Sequence, residues 1–175
     1  MTASPAIARR HRGVLLCLLL GLASALPAAA AETTAADGMP TAQDALAAWR
    51  AFAADPPARL DRTGPFLDYI RNGGVVHIVL NDGLLGFMYD TALDEPRKAV
   101  LYAAYLGANM ASQLEREETG SDNLAAMRGT LAAYRALQAE DATFAVSALE
   151  PFAQAEAAGA LPAAVHAAVT GTGGE

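Results

Sequence analysis

From residue 41 onward, apolar positions recur every three or four residues, the spacing that gathers them on one side of an α-helix. Over about 42–54, Leu46, Trp49, Phe52 and Ala53 form such a stripe. Thr41 precedes it with Asp44 three residues on, a weak variant of the capping box, and Pro56-Pro57 stops the helix because proline lacks the N–H the next turn requires. A short second helix is expected over about 65–72, capped by Thr63 or Gly64, opened by Pro65 and ended by Gly73-Gly74, with Phe66, Leu67 and Ile70 on one side. The third and longest runs about 95–118. Asp94 caps it, Glu95 and Pro96 suit its first turn, and Gly120 ends it. Val100, Leu101, Tyr105, Met110 and Leu114 give it bulk, while Ala103, Gly107 and Ala111 form a stripe of small residues that admits a neighbouring helix closely. A fourth helix, about 122–139, begins at Ser121 or Asp122 and turns Leu124, Met127, Leu131 and Tyr134 inward. A fifth, about 148–158, shows a capping box in Ser147 and Glu150, tolerates Pro151 in its first turn and closes at Gly159; Pro162 opens a last short helix to about Val169. No period of 20–50 residues repeats, so a solenoid is not indicated.

Residues 75–89 admit two readings. VVHIVL is β-branched, NDG is a turn and LLGFMY is apolar again, which locally spells a short β-hairpin. Wound as helix, Val76, Val79, Leu80, Leu84, Phe87 and Met88 share a face. A lone hairpin is marginal in water, so the reading favours two short buried helical segments hinged at Asn81–Gly83, at the centre of the core.

The first thirty residues follow a different rule. Arg9, Arg10 and Arg12 form a basic head, Gly13 to Leu26 carry no charge, and Pro27 leads into Ala28, Ala29, Ala30 and Ala31. Basic, apolar, then small is the order of a removable export signal, bacterial in style, with Ala29 and Ala31 placing the cut before Glu32. The apolar run spans 14 residues, 13–26, against the roughly 20 a spanning helix needs. Arg9-Arg10 hints at the twin-arginine route, but Arg12 stands where an apolar residue is usual, so the general secretory route is favoured. Leu15-Leu16 before Cys17 does not suit lipid attachment. The expected organisation is a signal at 1–31, a flexible lead-in at 32–40, one helical domain at 41–170 and a disordered tail at 171–175.

Composition supports the helical reading. Alanine, the best helix former, is abundant, and lysine appears only at Lys98. The fold class is therefore all-α, a single bundle of about five to seven helices. The formal charge is −7, and losing the leader would remove three of the 12 basic residues and none of the 19 acidic ones. Such a surface has no electrostatic footprint for nucleic acid. The only cysteine, Cys17, lies in the leader, so the exported chain is cysteine-free and must be stabilised by packing alone. Stable membrane insertion after cleavage is not expected.

Candidate chemistry is sparse. His77 and His166 lack a second histidine at helical spacing, so the HExxH type of zinc site is absent. His77 with Asp82 or Asp90 would make only a weak metal site, and these aspartates lack the spacing of a calcium loop. There is no GxSxG, no phosphate loop and no GxGxxG. Ser112, Ser121 and Ser147 read as surface or capping residues, and Glu115, Glu117 and Glu118 as a solvated helix end rather than a catalytic pair. No metal and no cofactor are expected. One ligand pocket is conceivable, around His77, Tyr89, Tyr102, Tyr105 and Asn109.

The sequence thus reads as an exported, periplasmic or secreted helical protein, with a non-catalytic binding role toward an unknown protein or small-molecule partner. Such a role requires an exposed apolar patch. One alternative is a small hydrolase of peptidoglycan or glycan, which requires two carboxylates in a cleft. Another is a carrier of a small apolar ligand, with its pocket among the first, third and fourth helices.

Overall fold

Thr41 and Asp44 begin the first helix by satisfying each other: Thr41 Oγ1 accepts from the Asp44 N–H at 3.2 Å and the Asp44 carboxylate accepts from the Thr41 N–H at 3.0 Å. The computed structural model describes residues 38–72 and 75–171. The expected leader with Ala29, Ala31 and Glu32, most of the lead-in, Gly73-Gly74 and residues 172–175 lie outside the described residues. Within them the chain is mostly helical: α1 (Ala42–Ala53), α2 (Gly64–Asn72), α3 (Glu95–Arg116), α4 (Asn123–Glu140), α5 (Glu150–Ala157) and α6 (Leu161–Gly171), with 3₁₀ turns at Leu60–Arg62 and Gly86–Tyr89 and no strand among the described residues. No described helix is long and apolar enough to cross a membrane.

α3 is the axis of the fold. It packs along α4, supports α1, and α1 in turn pairs with α2; α5 and α6 pair and cover the far side of α4. Its buried face carries Val100, Leu101, Tyr105 and Met110, which meet Met127, Leu131 and Tyr134 of α4. A second focus joins α1 to α2, where the rings of Trp49, Phe52 and Phe66 sit 5.8–6.0 Å apart in tilted and edge-on arrangements favourable to aromatic quadrupoles.

The small stripe on α3 has the use its spacing implies. The Trp49 ring lies directly on Gly107, so close that a Cβ there would come 2.2 Å from a ring carbon. On the other side, Gly129 of α4 faces Ala108 and the Ala104 carbonyl oxygen, at 2.4 Å and 2.9 Å from where its own Cβ would stand. Three helices thus meet over glycine and alanine.

Several local expectations are corrected by tertiary contacts. On α1, Ala45 is buried and Ala53 is exposed, because the helix turns its Ala45–Trp49–Phe52 side to the core. α3 stops at Arg116, not near Gly120. Glu117 takes the left-handed conformation (φ 54°), and its N–H and that of Glu118 both bond the Gln113 carbonyl, an ending usually given to glycine. The Ser147–Glu150 capping box does not form. Leu149 is the N-cap without a side-chain bond, and the Glu150 carboxylate accepts from the buried Tyr134 hydroxyl, which itself accepts from the Val146 N–H at 3.1 Å. The preceding irregular stretch contributes Phe144, Val146 and Leu149 to the core. Arg97 covers Phe144, 4.7 Å from the ring centre, and pairs with Asp141 at 3.1 Å. Finally, α6 continues to Gly171, into the expected tail.

The largest correction concerns 75–89, which is neither hairpin nor a pair of helical segments. Residues 76–80 form no regular element, 82–84 turn, and only 86–89 wind into a 3₁₀ turn. Leu84 and Phe87 enter the core as expected and Leu85 joins them, whereas Val75, Val79 and Leu80 face solvent with 56, 49 and 52% of their surface exposed.

Candidate functional site

Residues 75–79 alternate in exposure, with Val76 and Ile78 half-buried against the core and Val75, His77 and Val79 outside; Leu80 is exposed as well. That period of two is the habit of a strand, yet no strand lies beside it among the described residues. Its neighbour is a side chain. Gln113, almost wholly buried on α3, accepts from the His77 N–H through Oε1 at 3.0 Å and donates from Nε2 to the His77 carbonyl at 3.1 Å. A single amide therefore gives His77 the two bonds an antiparallel partner residue would give it. The peptide groups of Val76, Ile78, Val79 and Leu80 make no hydrogen bond to any described residue. The segment is hydrogen-bonded to the bundle at one residue, packs Val76 and Ile78 against it, and exposes three large aliphatic side chains.

Gln113 is itself held by a buried polar network. Its Nε2 also donates to Asn109 Oδ1 at 2.7 Å, and Oε1 accepts from the Gly120 N–H at 3.4 Å, which completes the capacity of the amide. Asn109, fully buried, accepts from the Asp122 N–H at 3.0 Å and donates to Ser121 Oγ at 3.0 Å. Asp122 caps α4 by accepting from the Ala125 N–H at 2.9 Å, and its other oxygen accepts from Ser112 Oγ at 2.6 Å and Arg116 at 2.7 Å. Among the described residues no buried side-chain nitrogen or oxygen lacks a partner.

The Asp122 carboxyl has a measurable consequence. Burial raises its pKa, but the bonds from Ser112 and the Ala125 and Leu124 N–H groups, with the charge of Arg116, outweigh burial and hold it below 3.8. The folded state thus prefers the ionised form. That preference is fully present above the unfolded value near 3.8 and is lost as pH falls through the lower folded value. Asp44 and Asp141, also lowered by their hydrogen bonds, act in the same direction. Asp122→Asn, which retains a capping oxygen, is expected to flatten the acid limb of the stability curve without abolishing it; urea titrations between pH 5 and 2 test this, and an unchanged slope would refute the assignment.

The five residues singled out from the sequence do not converge on one cavity. His77 is exposed and engages the bundle only through its backbone. Tyr89 is 69% exposed and donates to Asp82 at 2.9 Å, a bond that raises the phenol's pKa. Tyr105 is fully buried, donates to Asn123 Oδ1 at 3.2 Å, and is pushed up to about 12, first by burial and then by the charge of Tyr102. Asn109 belongs to the network above. Tyr102 lines a hollow of about 450 Å³ between α2 and α3, which none of the other four enters.

The other candidate chemistry is dispersed. Asp82 serves Tyr89, and Asp90 accepts from the Ala92 N–H; no group of three metal-capable side chains occurs among the described residues. Glu115 pairs with Arg50 at 2.9 Å and Glu118 with Arg116 at 3.4 Å, all largely exposed. The hollow among α1, α3 and α4, about 530 Å³, is rimmed by Glu115, Arg116, Asp122 and Arg128, which makes it a charged depression rather than the apolar pocket a carrier would need there. No protein-family model matches the chain, and no curated protein and no solved structure matches it.

Gln113 and the outward position of Val79 and Leu80 escaped the sequence reading. The available signal was a pair of amides, Asn109 and Gln113, four residues apart on the face of α3 that also carries Leu106 and Met110. Polar side chains on an apolar stripe require partners, and here the partner is a backbone without a strand to pair with.

Proposed function

We propose that the chain is an exported binding protein that holds an extended polypeptide along residues 75–80. One observation carries the reading: a β-branched segment is hydrogen-bonded to the bundle at His77 alone, while Val75, Val79 and Leu80 are exposed and the peptide groups of Val76, Ile78, Val79 and Leu80 bond no described residue. Adding a strand to such an edge supplies main-chain hydrogen bonds, and alternate side chains supply selectivity. Export rests on the leader pattern, and it would place the edge where segments of envelope or secreted proteins are encountered. A binding rather than catalytic role agrees with carboxylates that are occupied in ion pairs or caps.

The test is selection of displayed linear peptides on the immobilised protein. Peptides with alternating aliphatic residues should be enriched. They should lose binding to the double variant Val79→Lys/Leu80→Lys, whose melting temperature should match the parent because both side chains are about half exposed. Failure to enrich any peptide, or equal binding to the double variant, would remove the proposal.

A further inference from the structure

We infer that the hollow between α2 and α3, on a different set of residues from the 75–80 edge, is a binding site for a fatty carboxylate. Its walls are aliphatic: Leu60, Leu67 and Ile70 on one side, Ala99, Ala103 and Leu106 on the other. At about 450 Å³ it falls within the size of small-molecule sites, roughly 300–1,000 Å³. Its depth comes from the α3 side, where alanines at 99 and 103 leave room that larger residues on that face would fill. Walls that are mostly aliphatic, with Tyr102 as their one aromatic among the described residues, fit a flexible chain better than a ring system.

The polar groups select the head. Thr63 Oγ1 gives its proton to the Leu60 carbonyl at 2.8 Å, so it can only accept. Tyr102 lines the hollow and its hydroxyl bonds no described residue. Arg71 brings the one formal charge to the lining, with its guanidinium mostly in solvent and Asp68 at 3.5 Å. A guanidinium fork with one positive charge matches one carboxylate. A doubly charged phosphate would meet Asp68 without a second cation in the lining. The arrangement thus places an acyl chain on the aliphatic walls and its carboxylate at Arg71, within reach of water, which keeps desolvation of the charge small.

The probe is cis-parinaric acid, whose fluorescence rises in an apolar environment, titrated into the purified protein beside the corresponding alcohol. The acid should bind saturably at one site per chain. Ala99→Trp, at an exposed position that lines the hollow, should abolish binding while circular dichroism stays unchanged. Arg71→Gln should weaken the acid about three- to fivefold, the scale of an exposed charge pair, and leave the alcohol unaffected. Absence of saturable binding, parental affinity in the Ala99→Trp variant, or equal loss for acid and alcohol in Arg71→Gln would overturn the inference. So would a dimer that Ala99→Trp splits, since the hollow would then belong to a second copy. None of these outcomes bears on peptide binding at 75–80, so the two proposals fail separately.

Discussion

Gln113→Leu is expected to destabilise the fold by about 2–4 kcal/mol and to free residues 75–80 from the bundle. The substitution keeps bulk on α3 but removes all four hydrogen bonds of the amide. Asn109 Oδ1 retains the Asp122 N–H, so that oxygen is not orphaned. The His77 N–H and carbonyl, directed at a buried aliphatic side chain, are. A buried polar group left unsatisfied costs about 1–3 kcal/mol, and two such groups, relieved in part by local movement, set the range. Two measurements check it. Urea unfolding gives the total, and hydrogen exchange at the His77 amide should accelerate well beyond the global change, because the segment can detach without the bundle unfolding. Gln113→Glu separates the parts, since the carboxylate keeps an acceptor for the His77 N–H and loses the donor for its carbonyl. An unaltered His77 exchange rate in Gln113→Leu would show that the segment is held by Val76 and Ile78 alone.

Gly129→Ala carries the second large effect, and its sign runs against helix propensity. Alanine in a helix interior is favoured over glycine by about 1 kcal/mol. Here its methyl would stand 2.4 Å from Ala108 Cβ and 2.9 Å from the Ala104 carbonyl oxygen. The second of these is backbone inside α3, which cannot step aside without moving the helix. Overpacking of this kind costs roughly 1–3 kcal/mol, and the short approach to backbone puts this site toward the upper end, so a net loss of about 1–2 kcal/mol remains. For a chain of this size that lowers the melting temperature by roughly 2–8 °C. Gly64→Ala, where a Cβ meets nothing within 4 Å, is the control and should be neutral or slightly stabilising. Equal behaviour of the two variants would mean that α3 and α4 are not in close register at this point.

The contrast between these sites explains what could be read from the sequence. Features set by residues three or four apart were legible: Thr41 with Asp44, Asp94 and Asp122 each capping the helix that follows, and the small stripe on α3 that receives Trp49. Features set by distant residues were not. Ser147 and Glu150 have the spacing of a capping box, but Tyr134, on another helix, takes the carboxylate. In 75–80 the run has no Asp, Glu, Lys or Arg to reveal which side is wet, so the outward position of Val79 and Leu80 follows only from where Gln113 holds the backbone. The hollow between α2 and α3 was half visible. Leu67 and Ile70 were recognised as one face and Tyr102 as a lining candidate, but their proximity is a matter of how two helices cross, which periodicity does not encode.

The chain's one tryptophan rests on Gly107, edges Phe66 at 6.0 Å and reaches toward Gly129. It is therefore a built-in optical gauge of the junction where α1, α3 and α4 meet. Its emission should shift when those helices part and stay constant when residues 75–80 merely swing away, so fluorescence and amide exchange recorded on one sample would time the two events independently.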